Sequence, residues 1–305
     1  MATKKTAPKI SISFLGTDEL AATVLARLFS DPQFEVVNVV VPPRVDCPVK
    51  VFAHAKGLPV FEDPEKVLGH PVDFAVVAVY GKILSEKLLS HARYGAVNVH
   101  PSLLPKYRGP SPIRSALLHG DSVTGVSIMK MEPTLDTGPV YAFSEFVIQS
   151  HHHAESLRDD LAELAAELLA QTLPGIASGN IDALPQDDSR ASYCPKFSRE
   201  SGEVLWGLDS ALEIERKWKA YYPWPGLYTR FKGKRLKILK GHAEKGSVQQ
   251  WGLVHRENDV VWVDAAAGRF VLEHLQLEGK KPTAIADFLR GYSDFKGAVL
   301  GDKVF

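Results

Sequence analysis

Short apolar runs separated by stretches of helical periodicity constrain the first half of this chain more than any other feature. Residues 9–15 (KISISFL) alternate and stop at Gly16, and the following segment places Leu20, Val24, Leu25 and Leu28 at helical spacing. A β-branched run covers Phe34 to Val41, residues 49–56 read as helix, and residues 59–61 form a short apolar piece. Phe74 to Val79 and Gly95 to Val99 are two more strand-like runs. Continuous apolar strands alternating with helices imply parallel βαβ units covered on both faces. The expected fold class is therefore α/β, with a doubly wound, mostly parallel sheet. Ligands in such sheets sit beyond the carboxyl ends of the strands, so the loops after Leu15, Val41, Val79 and Val99 are where chemistry is expected.

The second half reads differently. Leu157, Leu161, Leu164, Leu168 and Leu169 form one helical stripe within 154–173, and a polar, Pro-containing stretch follows at 184–202 with the composition of an inter-domain connection. Beyond a helical piece near 210–220, short alternating runs recur at 227–231, 236–239, 252–254, 260–263 and 270–275. Such spacing predicts a small β-barrel or sandwich. A length of 305 residues fits two domains. With 45% apolar and 24% charged residues and no long apolar run, a soluble cytoplasmic protein is expected. Net charge is zero, yet residues 1–189 hold 16 Lys+Arg against 22 Asp+Glu and residues 190–305 hold 20 against 14. A basic C-terminal part suggests a polyanionic partner.

Several chemistries have no footing. Gly16 stands alone, without the further glycines of a dinucleotide fingerprint, and neither a phosphate-cradling Gly-Lys-Ser/Thr loop nor a His-Glu-x-x-His helix occurs. Cys47 and Cys194 lack the paired spacing of a zinc site or a disulfide framework. His151, His152 and His153 precede a helix with no acidic or thiol partner nearby and read as a solvated turn, so no metal is expected.

The informative stretch is NVHPSLLPKYRG, 98–109. Asn98 and His100 are an i, i+2 pair on an extended segment, so they project from one face and can converge on one atom. Asn offers neutral amide donors, and His can be donor, acid or base near neutral pH. Downstream, 124–142 reads as a strand ending at Met131 and a turn-rich loop carrying Asp136 before Gly138. A carboxylate from that loop could orient and charge the imidazole. Taken in isolation, the same residues are equally those of a capping Asn, a satisfied His and a turn Asp.

These motifs carry a resemblance. NVHPSLLPKYRG with the later Leu135-Asp136-Thr137-Gly138 loop resembles the folate-dependent formyltransferases, in which Asn, His and Asp form the catalytic trio. The likeness runs nearly end to end and is closest to the methionyl-tRNA group, through FLGTDELAATVLARLF (14–29), VVAVYGKIL (76–84), HGDSVTGVSIMKMEPTLDTG (119–138), YYPWPGLYTRFKGKRLKI (221–238) and LQLEGKKPTAIADFLRG (275–291). It implies a catalytic domain at 1–185, a linker at 186–207 and a C-terminal OB-like, tRNA-binding barrel at 208–305. It further implies formyl transfer from 10-formyltetrahydrofolate to the methionine α-amino group of initiator methionyl-tRNA, for translation initiation, by a monomer without a metal or a membrane partner. Catalysis would rest on Asn98, His100 and Asp136. The donor would be held by Tyr80, Gly81, Lys82, Ile83 and Leu84, by Ser102, Leu103, Leu104 and Pro105, and by Glu132, Thr134 and Leu135, largely through backbone groups. Two departures stand out. Thr134 occupies a position where the family usually has Gly, and the long basic loop usual after the second strand is here only PPRVDCP (42–48).

In the second domain Arg230, Lys232, Lys234, Arg235, Lys237 and Lys240 place six cations in eleven residues. Read as one alternating strand, Arg230, Lys232 and Lys234 share a face suited to a nucleic-acid backbone, although lysines guarding a solvated strand edge fit as well. Trp206, Trp218 and Trp224 are expected in the core. Two other functions remain open from the residues: a formyltransferase acting on an amino sugar nucleotide, and a non-catalytic RNA-binding factor.

Overall fold

The alternating start of the chain becomes β1 (Ile10–Gly16) in the structure, a computed structural model that describes residues 8–44 and 46–301. Close packing requires glycine at the last position of that strand, Gly16: a Cβ there would lie 2.8 Å from both the Ala21 Cβ and the Ala78 carbonyl oxygen. The helix α1 (Glu19–Ser30) begins at Asp18, whose carboxylate accepts from the Ala21 N–H, and buries Leu20, Val24, Leu25 and Leu28. Full burial of each such side chain is worth roughly 1.5–3 kcal/mol. Next come β2 (Phe34–Val40), α2 (Pro48–Ala55), β3 (Val60–Phe61), β4 (Phe74–Ala78), α3 (Glu86–Leu89) and β5 (Ala96–His100). The chain continues through α4 (Pro112–His119), β6 (Val123–Lys130), β7 (Val140–Val147) and α5 (Ala154–Ala177).

One seven-stranded sheet has the order β3-β2-β1-β4-β5-β6-β7. Its first five strands are parallel neighbours, whereas β6 and β7 are antiparallel, which bears out the doubly wound, mostly parallel expectation. Strand β7 has no counterpart in the sequence reading. Its Phe143, Glu145 and Val147 face outward, so the hydrophobic alternation that marks a half-buried strand is broken. Register aligns Val40, Leu15, Val77 and Asn98 side by side across β2, β1, β4 and β5. The face carrying Leu15, Val40, Val77 and Ala96 packs on Val67, Tyr80, Leu84 and Leu88. Since strand side chains alternate, Asn98 and His100 share that face with Ala96.

Two compact units divide the chain, one comprising Met1–Ile113, Ser122–Gln149 and Ser156–Pro195 and the other Arg114–Asp121, Ser150–Glu155 and Lys196–Phe305. In the second unit, α6 (Ala211–Tyr221) opens with a capping box between Ser210 and Glu213. Then follow β8 (Leu227–Phe231), β9 (Lys234–Glu244), β10 (Val254–Glu257), β11 (Val260–Asp264), β12 (Arg269–Leu277), β13 (Thr283–Ala284) and α7 (Ile285–Gly291). The sheet is antiparallel throughout, ordered β10-β11-β12-β9-β8 with β13 on β12. The OB-like expectation fits this content, although β8 and β10 do not pair with each other, so the ladder is not closed into a barrel. Leu236, Ile238, Phe270 and Leu275 form its core with Phe288 and Phe295.

Candidate active site

Two loops meet at the switch in strand order between β1 and β4. The Thr17 hydroxyl donates to the carbonyl of Val79, which follows β4 with φ +45°. On the adjacent β5, Asn98 is half-buried and makes no side-chain hydrogen bond among the described residues. His100 is 4% exposed. Its Nε2 lies 3.0 Å from the Tyr107 carbonyl, a pure acceptor, so Nε2 carries the proton and donates. That leaves Nδ1 facing Asp136, whose Oδ2 is 3.8 Å away, outside hydrogen-bond range. The same Oδ2 accepts from the Gly109 N–H at 2.7 Å.

Asp136 reaches this place on a loop that must double back, because the end of antiparallel β6 lies beside the start of β5: Lys130 pairs with Val97. Gly138 permits the return, since a Cβ there would sit 1.9 Å from the Lys130 carbonyl oxygen. Val79, Tyr107 and Asp136 all have positive φ, at 45°, 58° and 51°. Such backbone costs on the order of 1–3 kcal/mol per non-Gly residue and persists only where surroundings enforce it. Thr134 has no positive φ, so its backbone does not require the family's usual Gly, and its hydroxyl bonds to that of Thr137.

The enforcement comes from hydrogen bonds. Ser102 donates to the Lys106 carbonyl at 2.6 Å, and Ser127 donates to the Ser102 carbonyl at 2.7 Å while accepting from the Leu104 N–H. Residues 184–194 then lie along the outside of the loop. The Arg108 N–H donates to the Ser192 carbonyl and the Cys194 N–H to the Arg108 carbonyl, each at 2.8 Å, and the Ser192 hydroxyl accepts from the Tyr107 N–H. The Arg108 side chain, 2% exposed, gives Nε and Nη2 to Gln186 Oε1 at 3.0 and 2.8 Å and Nη2 to Asp188 at 2.7 Å. Burial works against its charge, but hydrogen bonds to Asp188 and Tyr193 outweigh it and raise the guanidinium pKa. Gln186 Nε2 donates to the carbonyls of Asp136 and Gly138 at 2.9 and 2.7 Å. Sequence reading missed Arg108, Gln186 and Ser192 as parts of this site; only the Arg-Gly that ends the 98–109 motif hinted at any of them.

The remaining expected donor-site residues lie on the loops bordering the trio. Tyr80 is buried with its hydroxyl unpartnered among the described residues, and burial pushes its pKa up. Gly81 has φ +73°, Lys82 is exposed and Leu84 is buried, whereas Ile83 is 93% exposed. Ser102 is wholly buried, Leu103, Leu104 and Pro105 are half-buried, and Glu132, Thr134 and Leu135 are exposed, Leu135 by 60%. The two loops thus present Ile83 and Leu135 to solvent, while the Asn98 amide and the buried Tyr80 hydroxyl have no side-chain partner among the described residues. Among the described residues no group of three His, Cys, Asp or Glu side chains could hold a metal ion, and no helix is long and apolar enough to cross a membrane.

Other expectations need correction. Arg230, Lys232 and Lys234 do not share a strand face, because β8 stops at Phe231 and Lys232-Gly233 forms the hairpin turn, with φ +52° and +72°. Register instead puts Tyr228, Arg230, Arg235 and Lys237 on one face. Arg235 lies 3.6 Å from the Tyr228 ring centroid, and Arg235 and Lys237 border a groove of about 240 Å³ with Gln276 and Glu278. Arg230, Lys232 and Lys240 face Glu203, Asp294 and Glu273, whereas Lys234 and Lys237 have no ion pair among the described residues. Trp206 is buried and Trp218 packs against the core, but Trp224 is 45% exposed under Arg114. His152 is only 2% exposed, so the His tract is not simply a solvated turn.

The formyl transferase family model matches residues 37–173, and the formyl transferase C-terminal domain model matches 196–293. A methionyl-tRNA formyltransferase of Dictyoglomus turgidum is 39% identical over 92% of this chain and 96% of its own. One from Dehalococcoides mccartyi is 38% identical over 96% and 99%. Among solved structures, WlaRD, a sugar 3N-formyl transferase, aligns with a TM-score of 0.68 at 17% identity over 90% of this chain and 100% of its own. HypX from Aquifex aeolicus, in complex with tetrahydrofolic acid, aligns with a TM-score of 0.67 at 17% identity over 94% of this chain. This chain spans about half the length of HypX, covering 48% of it. At such identities the structures attest the fold alone.

Proposed function

Because the chain belongs to the methionyl-tRNA formyltransferase family, we propose that it transfers the formyl group of 10-formyltetrahydrofolate to the α-amino group of methionine on initiator tRNA. The observation that carries the chemistry is the convergence on one sheet face of an unpartnered Asn98 amide with His100 Nδ1, which faces the Asp136 carboxylate at 3.8 Å. The folate supplies the formyl carbon and the nitrogen that leaves it. Asn98 donates an N–H to the formyl oxygen as negative charge builds there, the interaction most valuable in a dry, fixed site. His100 takes at Nδ1 the proton that the attacking amine must lose, and returns it to the departing nitrogen. With Nε2 held by the Tyr107 carbonyl, Nδ1 is the position that cycles. Asp136 lies beside the transient imidazolium and offsets its charge while Gly109 fixes the carboxylate. Ile83 and Leu135, both exposed, would cover the donor, and the buried Tyr80 hydroxyl would border it.

We assign donor binding and chemistry to residues 1–185 with the support of Gln186 and Ser192, which belong to the same compact unit as far as Pro195, and acceptor binding to 208–305, where Arg235, stacked on the buried Tyr228 ring, and Lys237 offer cations to the tRNA backbone. The protein acts in the cytoplasm as a monomer. The test is an assay of the purified protein with 10-formyltetrahydrofolate and charged initiator tRNA, with amino sugar nucleotides as competing acceptors. Formylmethionyl-tRNA is the expected product. Formylation of the sugar alone, or RNA binding without transfer, would overturn the assignment.

A further inference from the structure

We infer that Gln186 is a positioning residue for Asp136, tying its loop to the buried Arg108. The inference rests on the reading of Asp136 as part of the reacting centre. Asp136 needs holding: its φ is +51°, and its carboxylate has to stay between the Gly109 N–H and His100 Nδ1. Gln186 meets that need from the backbone side, since its Nε2 hydrogens go to the carbonyls of Asp136 and Gly138. Its Oε1 accepts two hydrogens from Arg108, the residue next to Gly109. One amide thereby couples the two loops that grip the Asp136 carboxylate and backbone.

The place of Gln186 is itself fixed on both sides. Leu184 exchanges two backbone hydrogen bonds with Val140, at the start of the strand that leaves the Asp136 loop, and Ser192 bonds Arg108. Between them, in the run 184–190, Gln186 alone is not exposed. No other side chain suits the position. Two carbonyls require two donors and a guanidinium requires an acceptor, which only a carboxamide combines. Glu would set a carboxylate against two carbonyl oxygens, Lys would set a cation against Arg108, and Asn is shorter by about one C–C bond of 1.5 Å.

The experiment compares Gln186→Met, which is close in shape but makes no hydrogen bonds, with Gln186→Glu, which retains an acceptor for Arg108. Both should lower kcat for formyl transfer by roughly 10- to 100-fold, the usual scale for sub-ångström misplacement of a reacting group, and leave KM for either substrate within about threefold. A second readout needs no substrate: hydrogen exchange of the Gly109 amide should accelerate about tenfold or more, with amides of the β1 and β4 ladder unchanged. Asn180→Ala, which removes an exposed amide that donates to Ser178 in the turn before this segment, should leave both readouts near wild type. If kcat stays within threefold in both variants, or exchange rises uniformly through the sheet, Gln186 merely stabilises the fold and the inference fails. Should Gln186→Met not fold, Gln186→Glu carries the same two readouts. A wild-type protein that formylates no methionyl-tRNA would overturn the functional reading instead, while Gly109 exchange would still decide whether Gln186 holds the carboxylate.

Discussion

Asn98→Ala separates catalysis from stability more cleanly than any other change at the centre. The amide is half-buried and makes no hydrogen bond among the described residues, so its removal orphans no partner. Strand propensity spans only about 1 kcal/mol, and the substitution should cost no more than that. Loss of one fixed oxyanion donor, by contrast, typically costs about 2.7–4 kcal/mol, or 10²- to 10³-fold in kcat. The catalytic effect should therefore exceed the stability effect several-fold. His100→Ala is a poorer probe because it also takes the Nε2–H from the buried Tyr107 carbonyl, which keeps only the longer Cys194 thiol contact of 3.5 Å beside it. The assay is single-turnover formyl transfer at saturating donor, paired with urea midpoints for the same preparations. Asn98→Asp, similar in size but without N–H donors, should be at least as slow as Asn98→Ala. Combining Asn98→Ala with His100→Ala should slow transfer by far less than the product of the single effects, since the two act on one transition state. A kcat within threefold of wild type, or a stability loss above about 2 kcal/mol, would refute the assignment of Asn98 as the oxyanion donor.

Asp136→Asn keeps an acceptor for the Gly109 N–H and removes only the charge 3.8 Å from His100 Nδ1. Unit charges at that distance attract by about 4 kcal/mol at an effective dielectric of ~20, a ceiling that makes a loss of roughly 10²- to 10³-fold in kcat the expected result, and a variant within threefold of wild type would contradict it. On the basic face, changing Arg235 and Lys237 to Gln should flatten the slope of log tRNA affinity against log salt by roughly 0.7–0.9 per lost phosphate contact, with donor binding unaltered. Lys232→Gln and Lys240→Gln should matter less, as those lysines already face Asp294 and Glu273; equal slopes for all four changes would return these cations to the role of a solvated edge. Finally, the Arg27 hydrogen bond holds the Asp31 carboxyl below its ordinary pKa. A depressed carboxyl contributes stability above its unfolded pKa of about 3.9 and loses it as pH falls through the folded value, so Arg27→Met should lower the urea midpoint at pH 6, begin to approach wild type as pH falls below about 4 and converge only below the depressed folded value; a pH-independent difference would rule this out.

The parts of the site legible in the sequence are those with a local signature. Period-two alternation marked β1 and placed Asn98 and His100 on one face of a strand, and apolar runs marked β2 and β4 as buried and parallel, because these patterns come from neighbours in the chain. The short helix α4 carries no such signal, and neither does the turn that splits Arg230 from Lys234, whose Lys-Gly pair can be read as continued strand until the register is known. Asp136 was recognisable by its motif, but not its bearing on Nδ1 or the return of its loop over Lys130, which depend on the antiparallel direction of β6.

Least legible was the stretch 184–194, whose polar, Pro-containing composition is that of a connection. Its contribution is made by backbone groups, by one hydroxyl and by one carboxamide, none of which needs a hydrophobic period. Composition reports what a segment cannot bury, whereas this segment acts by satisfying polar groups that other segments have already buried. Arg108 makes the point: a 2% exposed guanidinium is tolerable only where its hydrogen bonds are supplied, and the suppliers lie about 80 residues later in the chain. A buried cation inside a motif is therefore a reason to look in polar stretches, rather than in further apolar ones, for the segment that completes the site.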